Sequence, residues 1–182
     1  ITGLYMVMGI LAAIGAIITV YCTSMIYASL KAIPAWTHGL VSPLYLILGL
    51  ATGGLILDLI LRIFGAPLKS LSIICLVALA IALILKLKYW QAIDAAPRET
   101  DLASATGLSE MGTVRVLEKP HTSENYLQQE MGFRVARKHA EKLRRIAVAA
   151  LFILPIILVA VTLLVPMLAL ATSILAVAAA AI

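Results

Sequence analysis

Charged residues are scarce in this sequence: its 182 residues include 14 lysines and arginines and nine acidic residues, together 13%. An average soluble domain has about 25% charged and about 45–50% apolar residues, whereas 63% of this chain is hydrophobic. A soluble fold of this size cannot bury that much apolar surface, so a soluble globular protein is excluded. The two cysteines, Cys22 and Cys75, match no metal-binding or redox spacing, and composition excludes a disulfide scaffold.

Motifs of soluble enzymes are also missing. The sequence has no Walker loop, no dinucleotide glycine fingerprint, no zincin motif and no four-cysteine iron–sulfur set. Its three histidines, His38, His121 and His139, all lie outside the apolar blocks. A b-type haem held between helices needs histidine ligands within the spans. We therefore expect no haem ligand and no metal ligand from this chain.

Long apolar runs dominate what the sequence does contain. Four have the roughly 20 residues that a helix needs to cross about 30 Å of hydrocarbon, and the fifth is shorter. The runs cover about residues 4–27, 40–64, 68–87, 146–165 and 167–182. Because lipid offers no partner to backbone N–H and C=O groups, the runs predict helices, and Pro166 is the expected break between the last two. The sequence thus predicts an all-α integral membrane protein, a bundle of about five transmembrane helices.

A polar linker over residues 91–145 separates three spans in residues 1–90 from two in residues 146–182. In the linker, apolar residues recur every four positions from Leu127, which predicts an amphipathic helix over residues 124–145. Weak alternation over residues 113–117 is compatible with a short strand. Both ends of the sequence lie in or near apolar runs, so we expect a piece of a longer membrane protein whose last span is truncated.

The distribution of basic residues predicts the orientation. Alternating spans place residues 31–39 and 86–145 on one side and residues 62–69 on the other, with twelve basic residues against two. By the positive-inside rule, the linker (residues 88–145) is predicted to be cytoplasmic. Its basic clusters lie beside a membrane, so anionic lipid or a protein partner is expected there, not nucleic acid.

Asp58 is the one acidic residue inside a predicted span. Intramembrane carboxylates are costly and often functional, but Arg62 follows four residues later, in the favourable order for a helical ion pair. A local ion pair is the expected interpretation, and a proton relay is the alternative. Gly49, Gly53 and Gly54 in the same span predict close packing of helices.

The connection between the first two spans holds the candidate functional residues: Tyr27, Lys31, Trp36 and His38. If the first helix extends to Lys31, then Thr23, Tyr27 and Lys31 share one face. A quinone site needs an apolar slot, hydrogen-bond donors to the carbonyl oxygens and a proton route, and histidine exchanges protons near neutral pH. The alternative interpretation is an interfacial girdle of Tyr and Trp with a lysine that reaches towards water.

The pattern Tyr27-x6-Pro34-x-Trp36, followed by Pro43 and the pair Gly53-Gly54, resembles the membrane anchor subunit of the dimethyl sulfoxide reductase family. In that family a Tyr at the end of one span precedes a Pro-x-Trp turn, and a Gly-Gly follows in the next span. The linker stretches that begin His121-Thr-Ser-Glu and Met131-Gly-Phe-Arg are similar to anchors of the sulfite-oxidising branch.

The resemblance implies an eight-span anchor in a bacterial inner (plasma) membrane, of which the last five spans are present. Such an anchor holds a molybdopterin catalytic subunit and an iron–sulfur subunit at the membrane and exchanges electrons with ubiquinone or menaquinone. The chain itself would be non-catalytic, the molybdopterin and the clusters would belong to the partners, and Tyr27 is the site residue carried over. The family's quinone-site histidine lies in an earlier span. Quinone reduction coupled to sulfite oxidation fits a cytoplasmic linker, but the direction of electron flow stays open.

Two alternatives remain. A secondary transporter would have broken mid-span helices and repeated halves, and no internal repeat is found. A purely structural membrane anchor would lack a quinone site, and its aromatic residues would serve only at the interface.

Overall fold

The computed structural model describes residues 2–31, 33–96, 102–117, 136 and 138–181. These residues form helices and connections without a strand, which confirms the all-α fold; residues 113–117 have no regular structure, so the short strand there is wrong. Among the described residues, four helices are long and apolar enough to cross a membrane, and a shorter apolar helix follows them. The predicted amphipathic helix over residues 124–145 lies largely outside the described residues.

The first three long helices are joined by short connections. Helix α1 spans Thr2–Ala28, α3 spans Val41–Ile63 and α4 spans Lys69–Ala95, and the four-residue helix α2 (Pro34–Thr37) lies between α1 and α3. Proline suits the start of α2 because its fixed φ matches the first helical turn, where its missing N–H costs nothing.

Helix α3 ends in a Schellman motif built on Gly65. The amide of Ala66 donates to the carbonyl oxygen of Leu61 at 2.8 Å, and the amide of Gly65 donates to that of Arg62 at 3.1 Å. Gly65 has a φ of +72°, a left-handed conformation that glycine adopts without strain. Pro67 follows and prevents the helix from continuing, so α3 and α4 form a tight hairpin.

The chain from Ala140 to Leu164 is helical throughout but changes type. Helix α6 (Ala140–Val148) leads into a π-helical turn (Ala149–Ile153) and then into α7 (Leu154–Leu164). The helix is interrupted at Val165, as expected next to Pro166. A 3-10 turn then leads into α8 (Ala169–Ala180). The polar part of the chain contributes the short helix α5 (Leu102–Thr106).

Residues 1–94 and 145–182 form one compact unit, and residues 95–144 form another. The core of the first unit is built from small and medium apolar side chains. They come from α3, α4, α7 and α8: Ala51, Leu55, Cys75, Ala78, Leu79, Val159 and Ala176. Small residues let helix backbones approach closely, which is how helices associate where lipid removes the hydrophobic driving force.

Gly54 shows how close this packing is. A Cβ atom at this position would lie 2.8 Å from Sγ of Cys75 on α4, whereas a Cβ at Gly53 would meet nothing within 4 Å. Gly54 is therefore the member of the predicted glycine set that the helix contact requires. Helix α1 packs against α3 near its end, where Ser24 donates a 2.9 Å hydrogen bond to Ser42, while most of its earlier residues are exposed.

Candidate functional site

Three aromatic rings meet where α1, α2 and α3 come together. The ring of Tyr27, in the last turn of α1, lies 5.2 Å from that of Trp36 in an edge-to-face arrangement and 6.0 Å from that of Tyr45 in a stacked one. Both geometries are favourable for aromatic pairs. We call Tyr27, Trp36 and Tyr45 the aromatic cluster.

His38 lies directly after α2, and its ring has a defined hydrogen-bonding role. Its Nδ1 accepts a 3.2 Å hydrogen bond from the amide of Leu40. A nitrogen that accepts cannot carry a proton, so this geometry assigns the proton of the neutral ring to Nε2. The ring also makes an edge contact with Tyr89 of α4, at 5.6 Å between centroids.

Tyr89 joins α4 to the same region. Its hydroxyl donates a 2.9 Å hydrogen bond to the carbonyl oxygen of Ala35 in α2. One turn earlier on α4, Nζ of Lys86 lies 5.2 Å from the centroid of the Tyr89 ring and 5.0 Å from that of Trp90. These are cation–π distances, so a positive charge is held beside the aromatic residues.

Lys31 is not part of a helical stripe with Tyr27. Helix α1 ends at Ala28, and the amide of Leu30 bonds to the carbonyl oxygen of Tyr27, a tightened last turn. Lys31 lies beyond this turn, is exposed, and makes no ion pair or hydrogen bond with the residues that the structure describes. The condition on which the Thr23–Tyr27–Lys31 face depended is therefore not met.

A cavity of about 360 Å³ lies between α1 and α3 and is lined in part by Tyr45. Its other walls are mostly apolar: Val20, Thr23, Leu48, Gly49 and Thr52. The hydroxyls of Thr23 and Thr52 each donate, at 2.8 Å, to a carbonyl oxygen of their own helix. The Tyr45 hydroxyl donates to no atom of the described residues, so it is the lining donor that is still available to a ligand.

Sequence reasoning missed Tyr45, Lys86, Tyr89 and Trp90. Their joint signal was weak: each lies near a span end, where aromatic and basic residues are common in any membrane protein. Their association with Tyr27 and His38 depends on which helices pack together, and periodicity within one span does not contain that information.

A second polar group of residues lies within the bundle at Asp58, which is 3% exposed. The Asp58 carboxylate accepts from Nε of Arg62 at 2.7 Å and from Nη2 at 3.2 Å, which confirms the expected ion pair. The hydroxyl of Ser72 on α4 accepts a hydrogen bond from Arg62 and donates one to the Asp58 carboxylate at 2.8 Å. The hydroxyl of Ser173 on α8 also donates to the Asp58 carboxylate, at 3.4 Å. The network satisfies a buried charge and links three helices.

In the described part of the chain, no three His, Cys, Asp or Glu side chains are grouped as a metal site would require. The long apolar helices define a multi-pass integral membrane protein. A family model described as DMSO reductase anchor subunit (DmsC) matches residues 2–182, so the chain belongs to that family and the resemblance in its sequence is confirmed. Membership implies a membrane anchor subunit of a DMSO-reductase-type molybdoenzyme, which associates with catalytic and iron–sulfur subunits. Searches of curated proteins and of solved structures found no match.

Proposed function

We propose that this chain is the quinone-reactive membrane subunit of a molybdopterin and iron–sulfur oxidoreductase, and that the quinone headgroup binds beside the aromatic cluster. The observation that carries this proposal is the adjacency of a mostly apolar cavity to a stacked Tyr45–Tyr27 pair at one end of the bundle. These two parts of the site match the two parts of a quinone, because the quinone tail is apolar and the two carbonyl oxygens of its headgroup accept hydrogen bonds. When bound, a quinone accepts or gives up two electrons and two protons.

The available donors support this placement. The hydroxyls of Tyr27 and Tyr45 and the indole N–H of Trp36 donate to no atom of the described residues. All three residues are more than a third exposed, so these donors are open to a ligand with acceptor oxygens at the mouth of the apolar cavity. In this proposal Tyr27 and Tyr45 orient the headgroup, and the Trp36 ring holds Tyr27 in place through their edge contact.

His38 and Lys31 serve the proton side of the site. In a proton relay, His38 takes up a proton at Nδ1, which releases the Leu40 amide, and gives one up from Nε2, where the neutral ring carries its proton. Lys31 is exposed just beyond α1 and places a positive charge near the end of the site that faces water. The exchange of protons with water is thus assigned to His38, with Lys31 as an electrostatic neighbour.

The finer identity of the complex is part of the proposal. We assign the chain to the branch that oxidises sulfite, in which electrons pass through the iron–sulfur partner to the quinone, in a bacterial inner membrane. The similarity of the segments around His121 and Met131 to that branch supports the assignment, although both lie outside the described residues. In this proposal the aromatic cluster and the linker both face the cytoplasm, where a soluble partner docks.

The test uses the intact complex in its membrane. Tyr27→Phe and Tyr45→Phe each remove one hydroxyl and keep the ring, so the aromatic contacts persist. Loss of one hydrogen bond worth about 1 kcal/mol predicts about a fivefold lower quinone-coupled turnover at subsaturating quinone. Tyr5→Phe is the control, because Tyr5 is exposed near the start of α1, the helix that also carries Tyr27.

His38→Ala should also slow quinone-coupled turnover, and added imidazole should restore part of it by carrying the proton. Turnover with a soluble artificial electron carrier bypasses the quinone and should stay unchanged in all variants, which controls for assembly. If the three variants all keep their quinone-coupled turnover, these residues are an interfacial girdle and the anchor is structural.

A further inference from the structure

A second cavity, of about 430 Å³, opens at the hairpin end of the bundle, where α3 and α7 end and α4 and α8 begin. Arg62 and Lys69 line it together with Thr162, and apolar side chains such as Leu163 and Leu170 complete its walls. Cationic side chains and an apolar wall in one cavity at the end of spanning helices match the chemistry of a lipid headgroup region.

Arg62 has hydrogen-bonding capacity left for a ligand. Its guanidinium has five N–H donors, and its bonds to Asp58 and Ser72 use Nε and Nη2. The N–H groups of Nη1 donate to no atom of the described residues. Because no buried side-chain nitrogen or oxygen in the described part of the chain lacks a partner, Nη1 is accessible, and a ligand in the cavity can reach it.

Among the described residues that line the cavity, one positive charge is not neutralised by an acidic residue. Asp58 neutralises Arg62 from the bundle side, whereas Lys69 is exposed and has no ion pair among the described residues. Thr162 adds no donor: its hydroxyl shares one hydrogen bond with that of Thr172, and both threonines also bond to carbonyl oxygens of their own helices. Recognition of a ligand here therefore depends on Arg62 and Lys69.

We propose that this cavity binds the phosphate of an anionic phospholipid, with the first part of an acyl chain along Leu163 and Leu170. A phosphodiester carries one negative charge, which balances the excess charge of the cavity. The Nη1 donors of Arg62 hydrogen-bond a phosphate oxygen, and Lys69 acts as a point charge at the mouth. The lipid fills the space between the α3–α4 hairpin and the break at Val165, and so joins the two halves of the bundle at this end. This proposal is independent of the quinone site.

The experiment measures how much phosphatidylglycerol stays with the intact complex after purification in mild detergent and exchange against phosphatidylcholine, by native mass spectrometry. Lys69→Gln should lower retention by about fivefold, as expected for one basic residue at a membrane surface. Lys88→Gln is the matched control, because Lys88 is exposed near the other end of the same helix. Activity with a soluble artificial carrier confirms that each variant assembles.

A second variant separates the cavity from general surface charge. Ala169→Phe places a large side chain in the cavity wall without a change of charge, and it should displace the lipid as well. If Ala169→Phe retains the lipid while Lys69→Gln loses it, attraction is diffuse and the cavity proposal is overturned. It is also overturned if neither variant loses lipid, or if inorganic phosphate alone displaces phosphatidylglycerol, since the site would then hold free phosphate.

Discussion

The hydroxyl of Tyr89 donates a 2.9 Å hydrogen bond to the carbonyl oxygen of Ala35, a residue 54 positions earlier in the chain. This bond attaches α2 to the last turns of α4. Because Trp36 lies in α2 and His38 follows it directly, the position of both candidate residues depends on α4, a helix that sequence analysis did not connect with them. The edge contact between His38 and Tyr89 strengthens the same attachment.

Tyr89→Phe should loosen the connection between α1 and α3. The variant keeps the ring and its contacts with His38 and Lys86 but leaves the Ala35 carbonyl without its donor, a loss of about 1 kcal/mol. Hydrogen exchange of the amides in residues 33–40 should speed up about fivefold, which mass spectrometry can measure. Tyr5→Phe should leave exchange in this segment unchanged. Equal protection in both variants would show that the bond does not hold α2.

Asp58→Asn should destabilise the bundle strongly. The substitution leaves Arg62, whose side chain is only 11% exposed, with an uncompensated charge, and breaking a buried pair on one side costs about 3–5 kcal/mol. The midpoint of thermal unfolding of the purified complex should fall, and the yield from membranes should fall with it. The double variant Asp58→Leu with Arg62→Met removes both charges and should be closer to the native protein. A single variant as stable as the native protein would mean that the pair contributes little.

Gly54→Ala should weaken the contact between α3 and α4. Its new Cβ would lie 2.8 Å from Sγ of Cys75, so the helices must separate, at a cost of about 1–3 kcal/mol in unfolding free energy. Gly53→Ala, one residue earlier with nothing within 4 Å, is the control and should be tolerated. Adding Cys75→Ala to Gly54→Ala should recover part of the loss, because it removes the clashing atom. Additive losses would place the cause elsewhere.

The predicted orientation can be tested with cysteines placed in the two kinds of connection. In a background with Cys22 replaced by serine, Ser104→Cys in the linker should resist a membrane-impermeant thiol reagent added to intact cells. Ala66→Cys, in the hairpin between α3 and α4, should react. The physical reason is the excess of basic residues around the linker, which favours its retention in the cytoplasm. The reverse labelling pattern would reject the orientation and the cytoplasmic docking of a partner.

The fold class could be predicted from the sequence because membrane spans are specified by length and apolarity, which are local properties. The Asp58–Arg62 ion pair could also be predicted from the sequence, since both residues are on one helix at the spacing of one turn. The hydrogen bonds of Ser72 and Ser173 to Asp58 could not be predicted from the sequence. Serine is frequent and small, and only the packing of α4 and α8 against α3 brings these two hydroxyls to the carboxylate.

The candidate site was predictable in part. Tyr27 and Trp36 do contact each other, and that follows from their short separation across a turn. The shared face of Tyr27 and Lys31 was conditional on one more turn of helix, and the chain leaves the helix at Ala28. Tyr45 escaped notice because it lies on the next span, and the pairing of two apolar helices is encoded in their shapes and not in a repeat.

The π turn at Ala149–Ile153 has a consequence for any comparison of this span with related sequences. The amide of Leu154 reaches back five residues to Ala149, so one residue more than an α-helical turn is accommodated there. Each residue of an α-helix advances by about 100° around the axis, and the extra residue shifts the phase of everything after it. The buried positions Pro155, Val159 and Thr162 therefore belong to a different helical wheel from the residues before Ala149. A one-residue gap in an alignment at this turn would mark a change of helix type and leave the span itself intact.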